Sequence, residues 1–310
     1  MKMVNRTEWV MHVWGKKRDA LELNNVEKFH IYMLKKLGKY QAKFDKILIN
    51  IAMDELDDDE LYEFLKEEIS SVLTCKCVEF HKCQNQREKC EYVTFRPYVF
   101  DRIGEDVNIF YSHFKGYGTN VNVFRSSFPM RILDICEEFW SYVMYMDSLK
   151  NIKSVQDVLN GGKCVYCWLL QKDQHVNNGY YDNYQKLLTS GNEAYKNLVE
   201  DDLCKHSPGS FCWYNMSAIK EALKDKPEVV NIDDGYLGYC SGGDVHLYTH
   251  FCEIYLMQYL KESDIYSARE FDDDWKKFNN LIYCDIYPSK RVCREYIGDF
   301  EKYLIETNQI

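Results

Sequence analysis

The chain predicts an α/β protein, a single Rossmann-type sheet flanked by helices, and three observations lead there. Short apolar runs alternate with segments of helical period over residues 1–120, the pattern of a parallel sheet covered on its faces. With 310 residues, 46% of them apolar and 28% charged, the chain is large enough to bury a sizeable core. The run Val107-Asn108-Ile109-Phe110-Tyr111-Ser112-His113-Phe114 empties into Lys115, Gly116 and Gly118. In such sheets ligands sit at the carboxyl ends of the strands, which makes this exit a candidate phosphate-handling edge.

Taken in order, Glu8 to Trp14 reads as the first strand, closed by the Gly15-Lys16-Lys17-Arg18 turn. Leu21, Val26, Phe29, His30, Met33, Leu34 and Leu37 then recur at three- and four-residue steps, so a helix follows, with Gly38 as its stop. Lys46 to Ala52 is a buried strand. The acidic stretch Asp54 to Glu60 suits the positive end of a helix that runs through Leu61, Phe64, Leu65, Ile69 and Val72. Cys77 to Phe80 is a third strand, a polar stretch and a mixed segment lead to Ile103, and the run from Val107 is the fourth strand.

Further on, Phe128 to Leu149 has the spacing of a long amphipathic helix, and Lys163 to Leu170 that of a strand. A tyrosine-rich passage, 177–184, opens a helix to about Val199. Lys205 to Met216 combines turn residues with an aromatic strand, after which Ser217 is placed to cap a helix over Ala218 to Leu223. A helix at Thr249 to Lys261, a strand near Leu281 to Ile286 and a helix around Val292 to Ile305 complete the chain. No internal repeat or composition shift divides it, so one domain is expected over 1–310.

The net charge of −10 argues against a nucleic-acid groove or an anionic membrane surface, which would favour a basic face. No run approaches the roughly 18 apolar residues of a membrane span, and Met1 to Arg6 lacks the apolar core of a secretory signal, so a cytoplasmic protein is expected. The thirteen cysteines, odd in number and scattered, read as reduced. Cys164-Val165-Tyr166-Cys167 lies in an apolar run and reads as buried structure, and Cys75, Cys77, Cys83 and Cys90 match no standard zinc spacing.

Familiar catalytic signatures fail. Gly116-Tyr117-Gly118 begins like a dinucleotide fingerprint, but the third glycine position holds Val121. There is no Walker lysine pattern, no G-x-S-x-G elbow and no H-E-x-x-H pair. Three segments remain: Phe110-Tyr111-Ser112-His113-Phe114-Lys115-Gly116, then Pro208-Gly209-Ser210-Phe211-Cys212-Trp213-Tyr214-Asn215, then Phe251-Cys252-Glu253-Ile254-Tyr255.

Together these resemble a family of bacterial and viral polysaccharide glycosyltransferases, whose members carry a Y-x-H-x-K-G strand end, a later H-F-S-G-N-F-W-W-A-N strand and a glutamate downstream. The resemblance covers most of the chain more faintly, including Arg87-Glu88 before the fourth strand. Ser210 replaces the family asparagine and Cys212 the first of its paired tryptophans, while Trp213 and Asn215 keep their places.

The resemblance implies a GT-A-like sheet, with residues 1–120 as a nucleotide-binding half and 121–310 as an acceptor half. It implies a hexosyltransferase of polysaccharide biosynthesis whose partners are a nucleotide sugar and a glycan or glycolipid acceptor. In nucleotide-sugar transferases with one Rossmann-like sheet the fourth strand usually ends in D-x-D, which holds a divalent metal against the diphosphate. Here His113-Phe114-Lys115 stands in that place. A protonated lysine cannot ligate a metal but neutralises a phosphate oxygen itself, so Lys115 and His113 are the candidate diphosphate groups and no cofactor is expected.

Gly116 would let backbone N–H groups approach the phosphates, and Arg87 pairs either with phosphate or with a helix carboxylate. His113 reads equally as a structural strand-end histidine; should it bind a metal, Asp233, Asp234 or Asp244 would supply carboxylates. Glu253, among Phe251, Tyr255 and Tyr248, is the candidate base for the acceptor hydroxyl, since burial would raise its pKa toward the useful range. Ser210, Trp213 and Asn215 are placed on the acceptor side, with Asp234 as a turn residue able to bond sugar hydroxyls. The alternative reading is a non-catalytic carbohydrate- or nucleotide-binding protein on the same fold.

Overall fold

The computed structural model describes residues 6–86, 91–114, 141–173, 204–207, 210–231, 252, 255–257, 259–269, 299, 302 and 305–306. Its centre is a seven-stranded mixed sheet in the order β3-β2-β1-β4-β8-β5-β9. The strands are β1 (Arg6–Gly15), β2 (Lys46–Met53), β3 (Val78–Gln84), β4 (Val107–His113), β5 (Val165–Leu169), β8 (Cys212–Asn215) and β9 (Ile265–Arg269). Two short strands, β6 (Gln171–Asp173) and β7 (Cys204–His206), form a separate antiparallel pair.

The first four strands run parallel, as the alternation of apolar runs and helices requires. β8 lies antiparallel between β4 and β5, so the second half of the sheet is mixed. β1, β2 and β4 are buried over almost their whole length, which is why they read as continuous apolar runs.

Helix α1 (Asn25–Leu37) starts later than Leu21 because Asn24 caps it. The Asn24 side chain accepts the Glu27 N–H, and the Glu27 carboxylate accepts the Asn24 N–H, a reciprocal capping box. Leu21 is left exposed before it. Arg18, from the turn after β1, donates two hydrogen bonds to the fully buried Glu27 at 2.7 and 2.5 Å and so ties that turn to α1. In α2 (Asp59–Ser70) the acidic entry is realised as Asp58 accepting the Leu61 N–H, with Leu61, Leu65 and Ile69 on the buried side.

Between β3 and β4 the chain makes an additional helix, α3 (Tyr92–Tyr98), in what the sequence presents as a mixed segment. Pro97 and its single buried stripe hide it from a periodicity reading. Residues 141–149 are helical and lead into α4 (Ile152–Asn160). Helix α5 (Met216–Ala222) is capped by Asn215, whose Oδ1 accepts both the Ala218 N–H and the Ser217 hydroxyl. Ser217, the expected cap, is thereby a donor to the cap itself.

The two faces of the sheet carry two cores. One packs Trp9, Met11, Val13, Ile49, Ile51 and Phe110 against α1, α2, α4 and the helical run 141–149. The other packs Val10, Leu48, Ile109 and Tyr111 against α3, α5 and Cys252, Tyr255, Leu256, Met257 and Tyr259. One cysteine expectation fails: Cys75 and Cys77 are joined by a disulfide in the turn before β3, where the chain brings their Cα atoms to 5.3 Å. Cys164 and Cys167 are free and buried, as read.

Candidate functional site

Successive parallel strands step from β1 to β2 to β3, and β4 then returns to the other side of β1. That reversal makes the carboxyl ends of β1 and β4 a topological switch point, the place where ligands of open α/β sheets bind. His12 of β1 and His113 of β4 are register partners there.

The same register continues across the sheet. His12 pairs with Asn50 of β2, and Asn50 with His81 of β3, so His113, His12, Asn50 and His81 form one polar row over four parallel strands. Residues in register on parallel strands share a face, which is why four separated polar residues become neighbours. Helix α3 and its N-terminal flank lie over this row and answer it group by group. Glu91 Oε1 lies 2.9 Å from His113 Nδ1, and Thr94 Oγ1 lies 2.7 Å from His12 Nδ1 and accepts from Asn50 Nδ2 at 2.7 Å. Tyr98 Oη lies 3.0 Å from His81 Nδ1. Positions 91, 94 and 98 step by three and four, the spacing of one helix face.

The row is dry at its centre. His12 is 3% exposed and Asn50 is fully buried, whereas His81 reaches solvent. Burial pulls the His12 imidazole down from 6.5 to about 4; the Glu91 carboxylate acts in the opposite sense, and His113 adds to the lowering. His12 is therefore neutral at physiological pH. Its Nε2 and the Asn50 Oδ1 are buried without a hydrogen-bond partner among the described residues. Asn50 Nδ2 also reaches Cys83 Sγ at 3.2 Å, and burial raises the Cys83 thiol, which makes that cysteine a poor nucleophile.

A second polar group closes the edge of β1 to β3. Asp54, just after β2, accepts from Trp14 Nε1 at 2.7 Å, from Asn85 Nδ2 at 3.0 Å and from the Lys17 N–H at 3.2 Å. The Lys16 ammonium sits 5.4 Å from the centre of the Trp14 ring.

Of the residues singled out in the sequence, four are described. His113 ends β4 at the switch point. The ladder of β4 and β8 ends at Tyr111 with Cys212, and Phe211, next to Ser210, lies 5.7 Å from the His113 ring. Ser210 has φ 53°, the left-handed region that asparagine and glycine tolerate better, and its buried Oγ has no partner among the described residues.

Trp213 and Asn215 are committed elsewhere. Trp213 is fully buried, packs on Phe110 and Phe44 at ring distances of 5.1 and 5.7 Å, and donates its indole N–H to the Ser148 carbonyl. Asn215 is 1% exposed, caps α5 and donates Nδ2–H to the Leu159 carbonyl. Lys115, Gly116, Arg87, Asp234 and Glu253 lie outside the described residues.

Glu91, Thr94, His12 and Asn50 escape a motif reading because none belongs to a consecutive motif. A signal does exist: His12 after Val10-Met11 and Asn50 between Ile49 and Ile51 interrupt apolar runs, and His113 closes the strand that runs through Ile109 to Tyr111. Aligning those interruptions would have predicted the row.

The fold and site define an α/β protein with a polar, histidine-bearing row at the switch point of a seven-stranded mixed sheet. Compared with protein-family models, curated proteins and solved structures, the chain matches none. Among the described residues no group of three His, Cys, Asp or Glu side chains is arranged to hold a metal ion, and no helix is long and apolar enough to cross a membrane.

Proposed function

We propose that the chain is a cytoplasmic, metal-independent glycosyltransferase on a GT-A-like sheet, moving a hexose from a nucleoside diphosphate sugar to a glycan or glycolipid acceptor. Residues 1–120 take the nucleotide and 121–310 the acceptor. One observation carries this reading: His113 ends β4 at the switch point, and Lys115 and Gly116 follow it two and three residues on in the chain. The antiparallel β8 beside β4 supports it further, because a dinucleotide-binding sheet of the dehydrogenase type continues in parallel at that position.

In this mechanism His113 and Lys115 meet the diphosphate as negative charge develops on it, with Arg87 and the Gly116 backbone beside them. The acceptor oxygen bonds to the anomeric carbon as the bond from that carbon to the diphosphate breaks. The acceptor proton passes to the Glu253 carboxylate. Ser210 and Asp234 bond sugar hydroxyls.

Thermal shifts with a panel of nucleotide sugars test the reading. One donor raises the melting temperature and is then slowly hydrolysed, with turnover unaffected by EDTA and not increased by Mn²⁺. Lys115→Ala weakens donor binding, and Glu253→Gln abolishes transfer while leaving nucleotide binding intact. Unchanged turnover in Glu253→Gln removes that residue from the mechanism, and no shift with any donor sinks the reading.

One observation favours a second reading, a non-catalytic carbohydrate- or nucleotide-binding protein. Trp213 and Asn215, two of the three residues assigned to the acceptor side, are spent on the core and on the cap of α5. Stabilisation by a donor without hydrolysis or transfer distinguishes this case.

A further inference from the structure

The turn between α2 and β3 holds a disulfide that closes over a single residue. Cys75 and Cys77 are bonded at a sequence separation of 2, with Lys76 between them. A disulfide stabilises a fold chiefly by restricting the unfolded chain, and that restriction shrinks with the loop it closes. A bond around one residue restricts very little, so a role as a structural staple does not account for it.

The turn is held without the bond. Gln41, in the short helical stretch Gly38–Lys43 after α1, accepts the N–H groups of Thr74 and Cys75 on its Oε1, each at 2.8 Å. On the other flank the Cys77 carbonyl accepts the Ile47 N–H at 2.8 Å, where the pairing of β2 with β3 begins. These hydrogen bonds fix the backbone on both sides of the pair, whose Cα atoms stand 5.3 Å apart. The two sulfurs therefore stay neighbours whether or not they are bonded.

The surroundings also differ from those of the structural cysteines. Cys164, Cys167, Cys212 and Cys252 are buried single thiols, whereas Cys75 and Cys77 are half-buried and lie between the exposed Thr74, Lys76 and Glu79. Exchange begins when a thiolate attacks a disulfide sulfur, so it requires access and a stabilised leaving thiolate. The Lys76 ammonium, one residue from each sulfur in the chain, favours the thiolate form.

We infer that Cys75 and Cys77 are a thiol–disulfide exchange site whose co-reactants are dithiols in one direction and disulfides in the other. A dithiol thiolate attacks one of the two sulfurs, forming a mixed disulfide and releasing the other cysteine as a thiolate. The second thiol of the reductant then displaces the remaining cysteine. One S–S bond is broken and one is formed, and two electrons and two protons pass to the pair. The site is independent of the donor-site reading and stands or falls apart from it.

The folded full-length chain supplies the test, with dithiothreitol as the dithiol, oxidised glutathione as the disulfide, and quenched alkylation with peptide mapping to read residues 75 and 77. The rate of reduction should rise about tenfold for a tenfold rise in dithiothreitol and stay unchanged in urea below the unfolding transition. Reduction should lower the melting temperature by less than about 5 °C, as the short loop requires. Oxidised glutathione should restore the bond without unfolding, and in Cys75→Ser it should leave Cys77 as a mixed disulfide. A reduction rate that climbs with urea, or that does not depend on dithiothreitol, shows a bond opened only by unfolding and overturns the inference. So does a pair that stays fully alkylatable after oxidised glutathione.

Discussion

The two faces of the parallel half-sheet are made by the same strands and differ in kind. Toward α1 and α2, β1 and β2 present Trp9, Met11, Val13, Ile47, Ile49 and Ile51, and β4 adds Phe110. On this face the main polar interruption near the carboxyl end, Ser112, is matched by the Trp9 indole N–H at 2.8 Å. Toward α3 the alternate residues start apolar, with Val10, Leu48 and Tyr111, and then turn polar as His12, Asn50 and His113. An apolar face needs only volume and contact. The polar face needs a partner for each group, and α3 supplies most of them but leaves His12 Nε2 and Asn50 Oδ1 unanswered. A buried polar atom left without a partner costs stability, so the second face carries a penalty that the first does not show at these strands.

The contrast can be broken from either side. On the apolar face, Trp213→Ala removes a fully buried indole and should lower the unfolding free energy by about 3–5 kcal/mol, measured in urea titrations. The loss should be the same at about pH 5 and about pH 7, because its ring neighbours Phe44 and Phe110 do not titrate. A loss that depends on pH would mean that the two faces are coupled.

The polar face should respond to acid. His12 takes up a proton near 6.5 when unfolded but only near 4 when folded, so below 6.5 the unfolded chain binds more protons. Stability present above pH 6.5 is lost as the pH falls toward about 4, by about 3 kcal/mol as an order of magnitude. His12→Gln should flatten that part of the stability profile, and an unchanged slope would show that His12 is not its source.

Thr94→Val keeps the shape of α3 but leaves His12 Nδ1 and Asn50 Nδ2 without their shared oxygen, which should cost about 1–3 kcal/mol in the same titrations. The smallest effect belongs to the open end of the row. Tyr98→Phe removes the contact to the partly exposed His81, where water can replace it, and should cost less than about 1 kcal/mol. A large effect there would show that the row acts as a unit along its whole length.

Much of this architecture is legible in local sequence. The runs at Glu8, Lys46 and Val107 are strands, the acidic stretch before Leu61 does cap α2, and the spacing of Phe29, Met33 and Leu37 gives the buried stripe of α1. Elements whose signal is short are missed. β9 offers five residues, and α3 carries a proline within seven. The candidate site was half visible: His113 emerges from its strand end, whereas Glu91, Thr94 and Asn50 each look like an ordinary polar residue until the register is known. Trp213 and Asn215 show the reverse, since a motif that suggests a ligand surface holds residues spent on packing and capping.

The sequence by itself determined the alternation of strands and helices, because periodicity and caps are set by residues within a few positions of one another. It also placed a histidine, a lysine and a glycine at the end of the fourth strand. Only the tertiary structure decided that β4 returns beside β1, that β8 enters antiparallel between β4 and β5, and that α3 closes over His113, His12 and Asn50. Those are pairings between residues 22 to 107 positions apart, such as Glu91 with His113, His12 with His113 or Asn108 with Asn215, and no local preference encodes which elements meet.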